Sequence, residues 1–548
     1  MAETAAAAAR RQHEQLRLVT APVEAAGGLV LRGAPDAAPA TPFSVVRPLV
    51  ESLLPVVLAE RPDLVADHAP AVLELLPEAR RLPALAAARS YDDMGLVVPA
   101  DSERRLHREP ERVARTILGA AALIVRAVDA CPSLAGRPVL VAVDDLHLAD
   151  RPSLLTVLRL ARAAGGGRPL VIAAAAEPDA REGPRAALVA RVLELLAGLG
   201  VERVPLPGPS LEPSSAAIPA PEPEAAVREA RRALAGSNYE ALLEVAGRAL
   251  EAAPPDHPAR RDLLMLTGLT WSFLGDDGRS LRAYEEALAC SREPEARAEL
   301  RMYLALINAK RTGQLEAAEA HVERGLSEVA GRSGFAADFE RGWLLNVQAL
   351  VAFTRRDLHE AMRLTRAAME LMRPHGIEAA ALTTNLVANV SILYERSGQL
   401  DQALATWRRF LRVGQQVRPD FEKHYAYREG HLLLLQGRPA EALERCAHGF
   451  ACAAADQDHF HQEALARAAC RAAVEAGDWA AAAGWAERAA DLSGRLLLDR
   501  SGAAERRGEV AWCRERQGLD AGGSAPGDPR EPARPAPRLA RPFALVEP

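Results

Sequence analysis

The sequence predicts an α/β domain with a parallel sheet, followed by an all-α repeat array, so that the chain is mostly helical overall. Three observations carry this reading. A five-residue apolar run, Val139–Val143, ends in two carboxylates, Asp144 and Asp145. A helix–turn–helix pattern recurs from about Pro223 to Leu519. Between the two lies a proline-rich stretch, residues 207–225.

A short continuous apolar run bounded by turn chemistry reads as a strand buried on both faces of a parallel sheet. Carboxylates at the C-terminal end of such a strand lie where open α/β sheets bind ligands. Upstream, residues 3–26 read as a helix closed by Gly27-Gly28, and Leu29–Gly33 reads as a short strand. A helix opens within Thr41–Leu49, and residues 43–131 are mostly helical, with a polar stretch near 90–108. After the carboxylates come a helix, Ser153–Ala164, and a second buried strand, Leu170–Ala175. Glu202–Leu206 reads as a short strand that runs into the proline-rich segment, which reads as a semi-rigid linker.

The segment Asp144-Asp145-Leu146-His147-Leu148-Ala149-Asp150 resembles the DDLHWAD signature of STAND-type AAA-like ATPases, with Leu148 in place of tryptophan. Within that group it is most similar to the large ATP-binding LuxR-type transcriptional regulators. The resemblance implies a P-loop fold in which Asp144 and Asp145 form the Walker B element, with Asp144 holding Mg²⁺ beside ATP. His147 and Asp150 belong to the same signature and read as structural residues.

A Walker A loop needs a lysine to reach the β- and γ-phosphates. The chain holds two lysines, Lys310 and Lys423, both downstream of the signature. Arginine does not stand in, because its planar fork differs from a compact ammonium. In the regulators a strand ending VLR-G, followed by a PF-x-x-V-R-x-L helix, is the second strand. On that alignment Leu29–Gly33 lies just after the missing loop. On the alternative, Leu29–Gly33 is the first strand and residues 33–41 are a ruined loop. The family also carries an arginine that senses phosphate after the second buried strand, where this chain has Glu177. The fold is therefore expected to be an incomplete P-loop NTPase-like domain, with no cofactor in use. Binding of ATP and Mg²⁺ is the rival reading. A decayed or truncated member, or a chain whose true start lies upstream, would account for the missing loop.

In the array, turns fall at Gly236, Gly275, Gly313, Arg356, Gly398, Gly437, Gly477 and Gly518, spaced from Gly275 onward by 38 to 43 residues. Five positions after five of these turns the residue is small: Ala318, Ala361, Ala403, Ala442 and Ala482. Small residues there let paired helices approach closely. The pattern resembles tetratricopeptide repeats, best at Arg282-Ala283-Tyr284-Glu285-Glu286-Ala287-Leu288, with a longer period than the usual ~34. The long form is usual in the C-terminal arrays of the same regulators. Such arrays offer a concave surface to a protein or peptide, the partner expected here. The domain reading is 1–206 degenerate ATPase-like, 207–225 linker, 226–520 repeat array and 521–548 disordered tail.

Composition narrows function by exclusion. Net charge is −6 and the isoelectric point about 6.2, which gives no basic field for nucleic acid. No helix-turn-helix of the kind that ends the LuxR-type regulators is recognisable. No run of 18 uncharged apolar residues exists, so no membrane span is expected. The six cysteines are scattered without C-x-x-C spacing and read as reduced thiols of a cytoplasmic protein. Cys446, His448, Cys452, Asp456, Asp458, His459 and His461 are the one group of metal-ligating types, but their spacing matches no zinc motif. The chain reads as a non-catalytic regulator or scaffold, with an ATP/Mg²⁺-dependent switch as the alternative.

Overall fold

The computed structural model describes residues 20–35, 41–91, 109–164, 169–174, 183–199, 220–417, 421–496 and 500–521. These form two compact units that divide between Ser291 and Arg292.

The first unit is built on a three-stranded parallel sheet of β1 (Leu29–Gly33), β2 (Val139–Val143) and β3 (Leu170–Ala174), in that order. The apolar run is the central strand, and all five of its residues are buried. The edge strands are more open, and Val171 is 47% exposed. Each strand begins beside a proline or glycine: Leu29 N–H donates to Pro138 O, and Val139 N–H to Pro169 O. Helix α1 (Val46–Glu60) packs on β1. Helices α2 (Pro62–Asp67) and α3 (Ala69–Leu75) lead to α4 (Glu109–Ala130). Helix α5 (Arg151–Ala164) follows β2 and packs on α4 and β3, and α6 (Pro184–Gly198) packs on α5.

The same unit continues into two helix pairs, α7 (Pro223–Ala235) with α8 (Tyr239–Ala252) and α9 (Ala259–Leu274) with α10 (Asp277–Cys290). They are bonded to the α/β layer. Arg151 pairs with the buried Glu240 at 2.5 Å, its backbone N–H donates to Asn238 Oδ1, and its guanidinium lies over the Tyr239 ring.

The second unit is tetratricopeptide-like. Its helices are α11 (Pro294–Ile307), α12 (Leu315–Glu328), α13 (Phe335–Thr354), α14 (Leu358–Met372), α15 (Ala380–Arg396) and α16 (Leu400–Val417). They continue with α17 (Phe421–Leu435), α18 (Pro439–Ala455), α19 (His459–Glu475), α20 (Trp479–Asp491) and α21 (Arg500–Ala521). Sequential helices pack on one another, and first helices of neighbouring pairs also touch.

The turn residues do what the spacing requires of them. Gly275, Gly313, Gly398, Gly437 and Gly477 have φ between 70° and 80°, and Arg356 has φ 66°. A left-handed residue ends the first helix of each pair and lets the chain reverse; Gln399 N–H then reaches back to Tyr394 O, closing the helix end. The small residues mark the crossings. Ala318, Ala361, Ala403, Ala442 and Ala482 are all fully buried.

The helix expected to open within Thr41–Leu49 begins at Val46, after a turn over residues 42–45. Of the helix expected over residues 3–26, residues 20–25 are helical and residues 3–19 lie outside the described residues. One sequence expectation shifts. Gly518 is not a turn: α21 runs through it to Ala521, because one exposed glycine weakens a helix by about 1 kcal/mol without ending it. Glu202–Leu206, residues 207–219, Glu177 and residues 522–548 lie outside the described residues. No helix among the described residues is long and apolar enough to cross a membrane.

The packing generates a prediction. Ala403→Leu should destabilise by about 1–3 kcal/mol through overpacking, whereas Ala405→Leu, on the exposed side of α16, should stay within about 0.5 kcal/mol. Thermal unfolding followed by circular dichroism checks both.

Candidate functional site

The strand-end carboxylates lie just past β2. Asp144 N–H donates to Gly33 O at 2.9 Å, which carries the ladder one residue beyond the strand. Asp145 follows in the left-handed region (φ 44°), and its N–H contacts Asp144 Oδ1 at 3.2 Å. Both are half-buried. Leu146–Leu148 forms a single 3₁₀ turn that buries Leu146 and His147 and leaves Leu148 47% exposed. The turn thus places Leu148 on the surface. On β1, a Cβ at Gly33 would come within 2.6 Å of Val45 O, so the chain after β1 is held tightly against the start of α1.

Asp150 has a different task. It is 4% exposed and accepts from five donors. Oδ1 takes the N–H groups of Phe43 and Ser153, both at 2.9 Å; Oδ2 takes Ser44 N–H at 2.9 Å and the hydroxyls of Ser44 and Ser153, both at 2.7 Å. Asp150 is therefore the N-cap of α5. It also holds the 41–45 turn, where Phe43 has φ 61°, a conformation a bulky side chain rarely adopts. Val45 N–H donates to Ser153 Oγ and completes the tie.

The second unit holds a buried charge network around the residues the sequence offered as metal ligands. Lys423 on α17 is 1% exposed, and its ammonium lies 2.8 Å from Asp458 Oδ2 and 3.2 Å from Asp456 Oδ2. Asp458, fully buried, caps α19 by accepting from His461 N–H; its Oδ2 also takes His461 Nδ1, and His461 Nε2 faces His424 Nδ1 at 2.8 Å. Asp456 and Asp458 thus converge on an ammonium of the protein itself, and His461 joins through Asp458. The other members make contacts of their own. Cys446 Sγ is seated against Gly430, where a Cβ would meet it at 2.5 Å, and burial pushes its thiol up to about 12. His448 faces Cys452 at 3.6 Å and Glu422 at 3.3 Å, while His459 faces Gln462. Among the described residues no group of three or more His, Cys, Asp and Glu side chains is arranged to hold a metal ion.

Ion pairs extend this network along the helices. Glu429 joins Arg408 and Arg445, and Arg445 also pairs with Glu422. Glu395 pairs with Arg428 at 2.6 Å and faces His431 at 3.4 Å. Burial pushes the Glu395 carboxyl up, but its hydrogen bonds and charge interactions with His431 and Arg428 outweigh that and hold it at about 2. Sequence reasoning missed Lys423 and Glu395. The signal available was a lysine kept in a chain whose cations are almost all arginine.

No family model matches this chain, and no curated protein matches it. Solved structures similar to it include a STAND protein with a tetratricopeptide repeat sensor from Pyrococcus horikoshii, at 10% identity. That match covers 89% of this chain and 84% of the other, with a TM-score of 0.38. Yeast Tom70 matches at 12% identity over 84% of this chain and 99% of its own, with a TM-score of 0.33. A Rap protein complexed with competence and sporulation factor matches at 12% identity over 61% of this chain and 94% of its own, with a TM-score of 0.35.

Two predictions follow from the geometry. Asp150→Ala should cost roughly 3 kcal/mol by orphaning buried N–H groups, while Asp144→Ala at the open strand end should cost under about 1 kcal/mol; urea unfolding separates them. Glu395 is depressed from 4.5, so its stabilisation is complete above that value and lost as pH falls through about 2. Between pH 6 and 3 that loss should amount to about 2 kcal/mol, and Glu395→Gln should remove this share of the pH dependence in urea titrations.

Proposed function

We propose that this chain is a non-catalytic regulatory scaffold whose helical array binds a protein or peptide on its concave face. The observation that carries the reading is the repeated helix pair of the second unit, with a left-handed turn and a fully buried alanine at the same place in successive pairs. Stacked pairs of this kind suit an extended binding surface. We retain the division into 1–206, a linker at 207–225, an array at 226–520 and a tail at 521–548.

In this reading the first part is a degenerate P-loop domain of the LuxR-type STAND kind, without Walker A. The donor set at the β2 end does not fit ATP with Mg²⁺. Asp144 and Asp145 supply carboxylates for a cation, but the sequence places no lysine before Lys310 to meet the phosphates. Among the described residues, the acid that follows in the signature is committed to backbone and hydroxyl donors at the head of α5. Asp144 would be the Mg²⁺ ligand if nucleotide bound.

Equilibrium binding tests the alternative. A fluorescent ATP analogue with Mg²⁺ should show no saturable binding to the full chain up to millimolar concentration. Saturable micromolar binding that Asp144→Ala abolishes would establish a nucleotide switch instead. For the scaffold itself, peptides selected from a random displayed library on the full chain should slow hydrogen exchange along helices of the second unit. Protection confined to the first unit, or none, would sink that reading.

A further inference from the structure

Asparagines on the first helices of two successive pairs are bonded to one another in the second unit. Asn346 of α13 donates from Nδ2 to Asn385 Oδ1 of α15 at 3.0 Å. Asn389, one turn further along α15, donates from Nδ2 to Asn346 Oδ1 at 2.9 Å and to Asn385 Oδ1 at 3.1 Å. The three amides form a ladder across the contact between α13 and α15. Asn385 is exposed, and the other two are half-buried. Trp343 and Leu350 lie one turn before and after Asn346 on α13, and Ile392 lies one turn beyond Asn389 on α15; all three are only half-buried.

The ladder spends part of its bonding capacity. An asparagine amide has two N–H donors and an oxygen that accepts twice. Among the described residues, Asn385 gives the ladder its oxygen and keeps both N–H groups, while Asn389 gives the ladder its N–H groups and keeps its oxygen. A donor and an acceptor therefore stand one helical turn apart, at a place that solvent reaches.

We infer that this ladder grips the main chain of an extended peptide, with Asn385 donating to one of its carbonyls and Asn389 accepting from one of its amide N–H groups. This rests on the scaffold reading above and names where, and by which groups, the peptide is held. An extended chain offers the N–H and C=O of one residue together, as paired strands show when they exchange both bonds. A helical segment has already spent those groups internally. Contacts to the main chain supply affinity whatever the sequence, and side-chain contacts supply preference. Here Trp343, Leu350 and Ile392 flank the ladder with apolar surface, so the peptide is uncharged and apolar beside the gripped residue. Asparagine also pairs with adenine, but a net charge of −6 gives the phosphates of a nucleic acid no basic field.

The test uses the full chain and a fluorescein-labelled peptide selected on it from a random displayed library. A series of the same peptide carries single ester bonds in place of backbone amides, each of which removes one N–H and leaves the side chains alone. One ester position should weaken binding roughly fivefold to tenfold, the worth of one neutral hydrogen bond. Asn389→Ala should weaken the all-amide peptide by a similar factor and make that ester position neutral. Asn385→Asp keeps the oxygen that the ladder uses and replaces the N–H donors by a second oxygen; it should weaken binding about tenfold or more with the Tm unchanged. Peptides that protect helices of the second unit but bind both variants and every ester equally well would overturn the ladder and leave the scaffold reading standing. An ester effect that persists in Asn389→Ala would also overturn it. Selection of no peptide on the second unit would overturn both, and tighter binding of oligo(dA) than of any selected peptide would overturn the choice of partner. If Asn389→Ala does not fold, Asn385→Asp decides in its place.

Discussion

A methyl group is the largest side chain that many of the helix crossings accept. Ala318, Ala361, Ala403, Ala442 and Ala482 have no exposed surface. At other crossings even a methyl is excluded: a Cβ at Gly268 would meet the Tyr284 ring at 2.8 Å, and one at Gly449 would meet Ala426 at 2.5 Å. Close approach brings the backbones near enough for side chains to reach across to carbonyls, as Ser280 Oγ does to Gly268 O at 2.6 Å. It also fixes the angle at which each pair meets the next, so a regular stack depends on small residues recurring in register. The large side chains then fill what the crossings leave open. Trp407 stacks on Tyr425 between α16 and α17, and its indole N–H donates to the Tyr425 carbonyl.

The first unit is organised by a charge rather than a crossing. Burying a carboxylate is costly unless its lone pairs are filled, and Asp150 fills them with donors from two parts of the chain more than a hundred residues apart. That one group starts α5, fixes the 41–45 turn and so sets where α1 meets the sheet. Next to it, Arg151 carries the connection outward to Asn238, Tyr239 and Glu240. The segment that looks like a nucleotide signature therefore does mechanical work at its far end. Its near end, Asp144 and Asp145, stays half-buried at the end of the strand.

Local chemistry made much of this legible in the sequence. A five-residue apolar run that stops at two carboxylates read as a buried strand, and β2 is buried throughout. The turns could be placed because glycine adopts a left-handed backbone freely, and even Arg356, which does not, was placed by spacing alone. What the sequence hid was convergence. Lys423 meets Asp456 and Asp458 only because α17 packs beside the turn between α18 and α19, and no local pattern announces that. The same holds for Asp150, whose partners at Phe43 and Ser44 are remote in sequence. Gly518 misled for the opposite reason: its local signal was real, but neighbouring helix formers outvoted it.

The placement of lysine joins these threads. An ammonium is a compact charge with three donors on a flexible stem, which is what a phosphate-gripping loop needs and what a buried pair of carboxylates also needs. A guanidinium is larger and planar and presents its donors as a fork, where Lys423 points one compact charge at Asp456 and Asp458. The chain answers nearly every other demand for positive charge with arginine, at partly open sites such as Arg408 and Arg445 and at buried ones such as Arg428 and Arg506. Its one buried lysine neutralises the acid that caps α19, much as the donors around Asp150 neutralise the acid that caps α5. In both units a buried aspartate at a helix start sets the geometry. The difference is the counter-group: backbone and hydroxyl dipoles in the first, a full cation in the second.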